Sequence, residues 1–258
     1  VSESRGLGDV YKRQILILGL IRKMSEIKLI TFDLDDTFWD IKSTIINAEI
    51  NSRKWIEDRI KKKIEWGTFD DFLEIRHELI KENPSLDYDL GLLRKKIISY
   101  HTQKYFKNQK DLDEFIEEAY MFFLEERHKV EFFDGVIPVL EKLSLNYKLG
   151  VLTNGNADIK KLGIDHMFDF SVSSMDVKSN KPDQGHFIRA KELSQINFHN
   201  TLHVGDHPVN DVYGARELGI NVMWFNLNNL VWDIDENPPI QFKKWSDFVN
   251  LLEKNYGN

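Results

Sequence analysis

The sequence predicts an α/β protein, a doubly wound parallel sheet interrupted after its first strand by a block of helices. Three observations predict it. A short apolar run, Leu29 to Phe32, breaks off into Asp33, Asp35 and Asp36. Residues 43–127 then carry helical spacing with no convincing strand. After Phe133, short apolar runs alternate with helical patterns to the end of the chain. Such alternation makes a parallel sheet with helices on both faces, and sheets of that kind bind ligands beyond the carboxyl ends of their strands.

Each element has its own signal. Leu29, Ile30, Thr31 and Phe32 are a β-rich run without helical period. In the helical block, Ile46, Ile50, Trp55, Ile56 and Ile60 recur at helical spacing with charged residues between them. Asn83-Pro84-Ser85 interrupts the series and 111–127 resumes it. Lys61-Lys62-Lys63 is expected to face solvent, and the aromatic residues of the block to form its core. Beyond it, 135–145 reads as a helix with Asp134 as its cap and Pro138 in its first turn. The expected order is then strand 148–152, helix 157–162 stopped by Gly163, strand 168–173, loop 176–182 and helix 187–193. Strand 201–204, helix 209–218 closed by Gly219, strand 221–225 and helix 245–256 complete it.

Bulk properties narrow the functional classes. The 258 residues are ample for a sizeable core. A net charge of −7 speaks against non-specific nucleic-acid binding. The absence of cysteine excludes disulfides and thiolate metal sites and fits a reducing, cytoplasmic setting. The apolar stretch 15–21 is far too short to span a bilayer, so no membrane anchor is expected. Residues 1–23 read as a non-native or disordered extension, with Met24 as the natural start. The expected organisation is a core of 24–42 and 132–258 with a helical cap of 43–131.

The chemistry gathers at strand ends. Asp33 and Asp35 close a buried strand, and buried carboxylates need a partner or a metal. Two positions apart on extended backbone, they leave the chain on one side, a seat for Mg2+, a nucleophile or both. A strand-ending Asx turn is the plainer alternative at this point. Three more polar clusters fall beyond strand ends: Thr153-Asn154-Gly155, Lys181 before Pro182, and Asp206 with Asp211. Each alone reads as a turn, a surface lysine or a helix cap. Together on one rim they supply carboxylates for a cation, a hydroxyl and an amide for phosphate oxygens, and a lysine against accumulated negative charge. His199 and His203, four apart across a loop and a strand, are a poor zinc pair.

These clusters, in this order, resemble the haloacid dehalogenase-like hydrolase superfamily, and a helical insertion between the first and second resembles its first cap class. The resemblance implies a Rossmann-like core and roles residue by residue. Asp33 would be the nucleophile, forming an aspartyl-phosphate, and Asp35 the acid and base. Thr37 would steady the loop, Thr153 and Asn154 would bind phosphate, and Lys181 would neutralise the Asp33–phosphate pair. Mg2+ would be held by Asp33, Asp206 and the backbone carbonyl of Asp35, with Asp211 in support. The carboxylate at Asp35 speaks for a phosphatase, because a departing halide needs no proton. Gln184 and Phe38-Trp39 depart from the commoner family residues; Trp39 either lines the entrance or is buried.

The expected partner is a small phosphorylated metabolite. The stretches 152–170 and 202–226 resemble the branch containing phosphatases of FMN and of 5-amino-6-(5-phosphoribitylamino)uracil. Nucleotides and sugar phosphates are the alternatives. A receiver-type signalling domain also joins a phosphorylated Asp, a Thr and a Lys on such a sheet. The helical insertion, Asp35 and the chain length argue against it.

Overall fold

A computed structural model describes residues 26–234 and 237–257; the extension expected at 1–23 lies outside them. Six parallel strands form one sheet: β1 (Leu29–Phe32), β2 (Lys148–Thr153), β3 (Phe170–Ser173), β4 (Thr201–Gly205), β5 (Asn221–Phe225) and β6 (Ile240–Phe242). Their spatial order is β3-β2-β1-β4-β5-β6. The order reverses direction between β1 and β4, which places the crevice of a doubly wound sheet at their carboxyl ends. Phe32 pairs with both Val151 and Val204, so β1 is central and its four residues are wholly buried.

After β1 the inserted block supplies α1 (Ile41–Ile60), α2 (Phe69–Glu82), α3 (Leu90–Thr102) and α4 (Gln109–Arg127). Asp40, Thr68 and Asn108 cap α1, α2 and α4 by accepting from first-turn backbone amides. The block has apolar clusters of its own, one built on Ile56, Ile98, Phe115 and Ala119, with Trp55, Trp66, Tyr105, Phe106 and Tyr120 packed half-buried against it, whereas Phe69 and Tyr100 are exposed. Lys61, Lys62 and Lys63 are exposed just past α1, Lys61 in the left-handed region at φ 59°. Then come α5 (Val136–Ser144), α6 (Gly185–Ser194) and α7 (Trp245–Tyr256). Helices α5 and α7 cover one sheet face through Val136, Leu140, Trp245 and Phe248, and α6 covers the other through Phe187 and Ala190. Among the described residues no helix is long and apolar enough to cross a membrane.

Several local expectations are corrected. Gly135, at φ 87°, precedes α5 without a side-chain cap from Asp134, and a Cβ there would come within 3.3 Å of Trp245. Residues 157–162 form an irregular turn in place of the expected helix, with Asp158 Oδ1 accepting from Lys160 N and Asp158 O from Leu162 N. The expected loop 176–182 begins as a helical turn, Ser174–Val177. Residues 208–213 wind as a wide π-type turn, with His207 O accepting from Asp211 N and Val212 N, before the short turn Gly214–Arg216. Strand β6 was not foreseen: three residues after Pro238-Pro239 are too short to show alternation.

Trp245 ties α7 to the rim of β1. It is 1% exposed, packs against Phe38, Phe225, Phe242 and Phe248, and donates through Nε1 to Thr37 O at 3.1 Å. Trp245→Ala is expected to lower unfolding free energy by about 3–5 kcal/mol in urea titrations. Trp245→Phe, losing chiefly the hydrogen bond, is expected to cost about 1–3 kcal/mol.

Candidate active site

After β1 the backbone leaves the sheet in one tight turn: Phe38 N donates to Leu34 O at 2.8 Å, and Asp36 N to Trp39 O at 2.9 Å. Asp36 sits at φ 59°, a conformation aspartate tolerates better than most residues, and its Oδ1 accepts from Ile41 N at the start of α1. The turn keeps Asp33 and Asp35 on the wall of one cavity, of ≈ 170 Å³. Asp36, Thr153, Asn154, Gly155, Lys181, Asp206 and Asp211 share that cavity. The four strand-end clusters therefore do converge. A second cavity of ≈ 320 Å³, among Ile45, Ile50, Phe69, Phe72 and Arg94 of the helical block, holds none of these strand-end groups.

Lys181 is the hub. It is 3% exposed, and its three N–H groups go to Asp33 Oδ1 at 2.8 Å, Leu152 O at 2.7 Å and Asp211 Oδ1 at 2.6 Å. An ammonium has three donors, and all are used. Burial alone would lower its pKa, but Asp211 and Asp33 overrule that and raise it. Asn154 holds the Lys181 backbone on both sides: Oδ1 accepts from Lys181 N at 2.7 Å and Nδ2 donates to Lys181 O at 3.0 Å. That clamp takes up the side chain of a residue expected to face phosphate. Thr153 Oγ1 accepts from Gly155 N at 2.9 Å and keeps a proton to donate.

Asp211 has little capacity left. Oδ1 also accepts from His203 Nε2 at 3.2 Å, and Oδ2 accepts from His207 N at 3.0 Å. A Cβ at Gly205 would lie 2.3 Å from the Asp211 carboxyl carbon, so this approach requires glycine. Burial pushes the Asp211 pKa up, yet Lys181 and His203 bring it below the usual carboxylate range. His203 is wholly buried between Asp211 and Thr31 Oγ1, the latter at 2.9 Å from Nδ1.

Asp33 and Asp206 are under strain of another kind. Burial raises the Asp33 pKa to about 7 against the pull of Lys181, with Asp211 adding to the rise. Burial and then the neighbouring Asp33 and Asp211 push Asp206 to about 9. The Thr37 hydroxyl lies 3.5 Å from Asp33 Oδ2 and 3.4 Å from Asp206 Oδ1, bridging the two. Oxygen atoms of Asp33, Asp206 and Asp211 lie within 4.8 Å of one another. Crowded hard carboxylates facing one lysine fit a divalent cation such as Mg2+.

Sequence reasoning missed the partners of Asp35. Its Oδ1 accepts from Trp39 Nε1 at 3.0 Å and Arg127 Nη2 at 2.8 Å, and its Oδ2 from Arg127 Nη2 at 2.7 Å. Trp39 is wholly buried, the second of its two expected placements. Arg127 looks like any basic residue in a last helical turn; nothing local signals a partner 92 positions away.

A family model of haloacid dehalogenase-like hydrolases matches residues 27–219. The 5-amino-6-(5-phospho-D-ribitylamino)uracil phosphatase YigB of Escherichia coli is 22% identical, over 90% of this chain and 98% of its own. A glyceraldehyde 3-phosphate phosphatase of Pyrococcus abyssi is 26% identical, over 90% and 96%. Among solved structures, a 2-haloacid dehalogenase of Pseudomonas syringae pv. Tomato DC3000 superposes with a TM-score of 0.82 at 33% identity, over 88% of this chain and 99% of that one. The chain belongs to the haloacid dehalogenase-like hydrolases and is an enzyme of that family.

The raised Asp206 carries a stability consequence. Its folded pKa, about 9, exceeds the unfolded value of 3.8, so the folded protein binds more protons and Asp206 weakens it as pH rises between those values. In metal-free protein, Asp206→Asn is expected to raise Tm at pH 8 by roughly 3–5 °C. The gain should shrink towards pH 4, and the Tm rise on adding Mg2+ should vanish. Differential scanning calorimetry at both pH values checks all three.

Proposed function

We infer that this haloacid dehalogenase-like phosphatase hydrolyses a small phosphorylated metabolite through an aspartyl-phosphate on Asp33. The observation carrying the reading is the Asp33–Lys181 contact at 2.8 Å on a rim that also holds Thr153, Asp206 and Asp35. An anionic nucleophile meets a phosphate dianion only where positive charge offsets the repulsion. Asp33, Asp206 and the backbone carbonyl of Asp35 would hold Mg2+, with Asp211 supporting; when bound, the ion neutralises charge on the phosphoryl oxygens.

The chain's own groups do the rest. Lys181 fixes one Asp33 oxygen and leaves the other to attack phosphorus. Thr153 and the neighbouring backbone amides bind phosphate oxygens, while Asn154 holds Lys181 in register. As the Asp33–phosphorus bond forms and the ester bond breaks, the proton of Asp35 passes to the leaving oxygen. Water then attacks phosphorus, its proton returns to Asp35, and Asp33 is released. His203 and Thr37 keep their carboxylates in place.

The cavity bears on substrate. A volume of ≈ 170 Å³ suits a phosphoryl group rather than a whole metabolite. The remainder of the substrate would lie towards residues 43–131, which we assign as the cap over a core of 24–42 and 132–258. The relatives' substrates offer two classes, 5-amino-6-(5-phospho-D-ribitylamino)uracil on one side and glyceraldehyde 3-phosphate on the other; FMN is a further candidate. Nucleotides and other sugar phosphates belong in the same panel.

Dehalogenation is the competing reading, since a structure 33% identical is a 2-haloacid dehalogenase. A carboxylate at position 35, pinned at the cavity wall, favours phosphate ester over carbon–halogen cleavage.

A panel of FMN, the ribitylamino-uracil phosphate, glyceraldehyde 3-phosphate, nucleotides and 2-haloacids tests both readings, with phosphate and halide release followed with and without EDTA. Phosphate release abolished by EDTA is expected; halide release with no phosphate release would overturn the phosphatase reading. Asp33→Asn is expected to abolish hydrolysis, and Asp35→Asn to slow turnover by about 10²–10⁴ while Mg2+ still raises Tm.

A further inference from the structure

Arg127 ends α4, the last helix before the chain returns to the sheet. The residue is 1% exposed. Its Nη2 reaches both Asp35 oxygens, its Nε donates to Asn156 Oδ1 at 3.1 Å, and its Nη1 is buried without a hydrogen-bond partner. A buried ion pair is a poor stabiliser, and an orphaned donor makes it poorer. Packing alone would be better served there by an apolar side chain.

The arrangement defines one oxygen of Asp35. Oδ1 already accepts from Trp39 Nε1 and Arg127 Nη2, filling its two lone pairs. Oδ2 accepts only from Arg127 Nη2, which leaves it one. That oxygen lies against Gly155, where an added Cβ would come within 2.5 Å of it and 3.4 Å of Arg127 Nη2. The absent side chain is the space by which a leaving-group oxygen can approach.

We propose that Arg127 is a positioning residue that orients the Asp35 carboxyl group, presenting Oδ2 to the Gly155 side of the cavity, where the leaving-group oxygen would approach. This rests on the reading of Asp35 as proton carrier. Because Arg127 belongs to the helical block, proton delivery depends on that block being seated on the sheet. Two further junctions hold it there: Asp158 N donates to His128 Nε2 at 2.8 Å, and Asn180 Nδ2 to Asp87 O at 3.1 Å.

Leaving-group chemistry separates this role from a structural one. p-Nitrophenolate departs without a proton, whereas the alkoxide of glycerol 3-phosphate needs one. With enzyme in excess and Mg2+ present, release of each leaving group is followed through the first turnover. Arg127→Met is expected to slow glycerol release about 100-fold, a size typical of lost acid catalysis, and p-nitrophenol release by less than about fivefold. Arg127→Lys, charged but lacking the planar fork, should fall between wild type and Arg127→Met and decides the matter if Arg127→Met does not fold. Trp39→Phe should show the same selectivity more weakly. Equal slowing of both leaving groups, or glycerol release at the wild-type rate, would overturn the proposal. Failure of the wild-type enzyme to hydrolyse either ester would instead count against the phosphatase reading.

Discussion

Lys181 brings a full positive charge to a place almost closed to water, and it stays charged there because three acceptors, two of them carboxylates, surround its three protons. Much of the neighbouring architecture serves that arrangement. Asn154 grips the lysine backbone from both sides, and Gly205 gives up a side chain so that Asp211 can approach. His203, buried from β4, closes the far side of Asp211. One ammonium cannot offset Asp33, Asp206 and Asp211 together. Burial first, and then the crowding of carboxylates, pushes Asp33 and Asp206 above their ordinary range. A site left short of positive charge is one that gains from a cation and from an anionic substrate's compensating partners.

The two carboxylates of the β1 turn are separated by their partners rather than by distance along the chain. Asp33 belongs to the ammonium of Lys181, carried on the loop before α6. Asp35 belongs to the guanidinium of Arg127, carried by the inserted helices. Two acids two residues apart acquire different chemistry when their environments differ. The turn between them is braced from below, where Trp245 holds Thr37 O and the aromatic cluster of Phe32, Phe38 and Phe248 fills the space under it. Packing energy in the core thereby fixes the geometry of the rim.

The parts of the site legible in sequence share one property. Asp33, Thr153, Lys181 and Asp206 each sit at or just after the end of a strand or in a loop beside one, and parallel strands in one sheet deliver their ends to one edge. The apolar runs of β1, β2, β4 and β5 were unambiguous because strands buried on both faces need continuous apolar residues. Short segments were read as too regular: 157–162 is a turn rather than a helix, and 208–213 winds as a π-type turn with His207 O accepting from both Asp211 N and Val212 N. Strand β6 was lost because a three-residue edge strand has no period to read.

Composition, spacing and strand–helix order were enough to determine the doubly wound sheet, the helical insertion and the strand-end acids, because those follow from local pattern and from the topology it dictates. The pairing of Lys181 with Asp33 was expected from the family resemblance alone; only the tertiary structure decided that Arg127 meets Asp35 and that Asp211 shares Lys181. Arg127 and Asp35 are 92 positions apart, Lys181 and Asp33 148, and no local propensity links either pair. Their meeting depends on how α4 and the loop before α6 pack against the β1 turn, and packing is set by the whole folded interior at once.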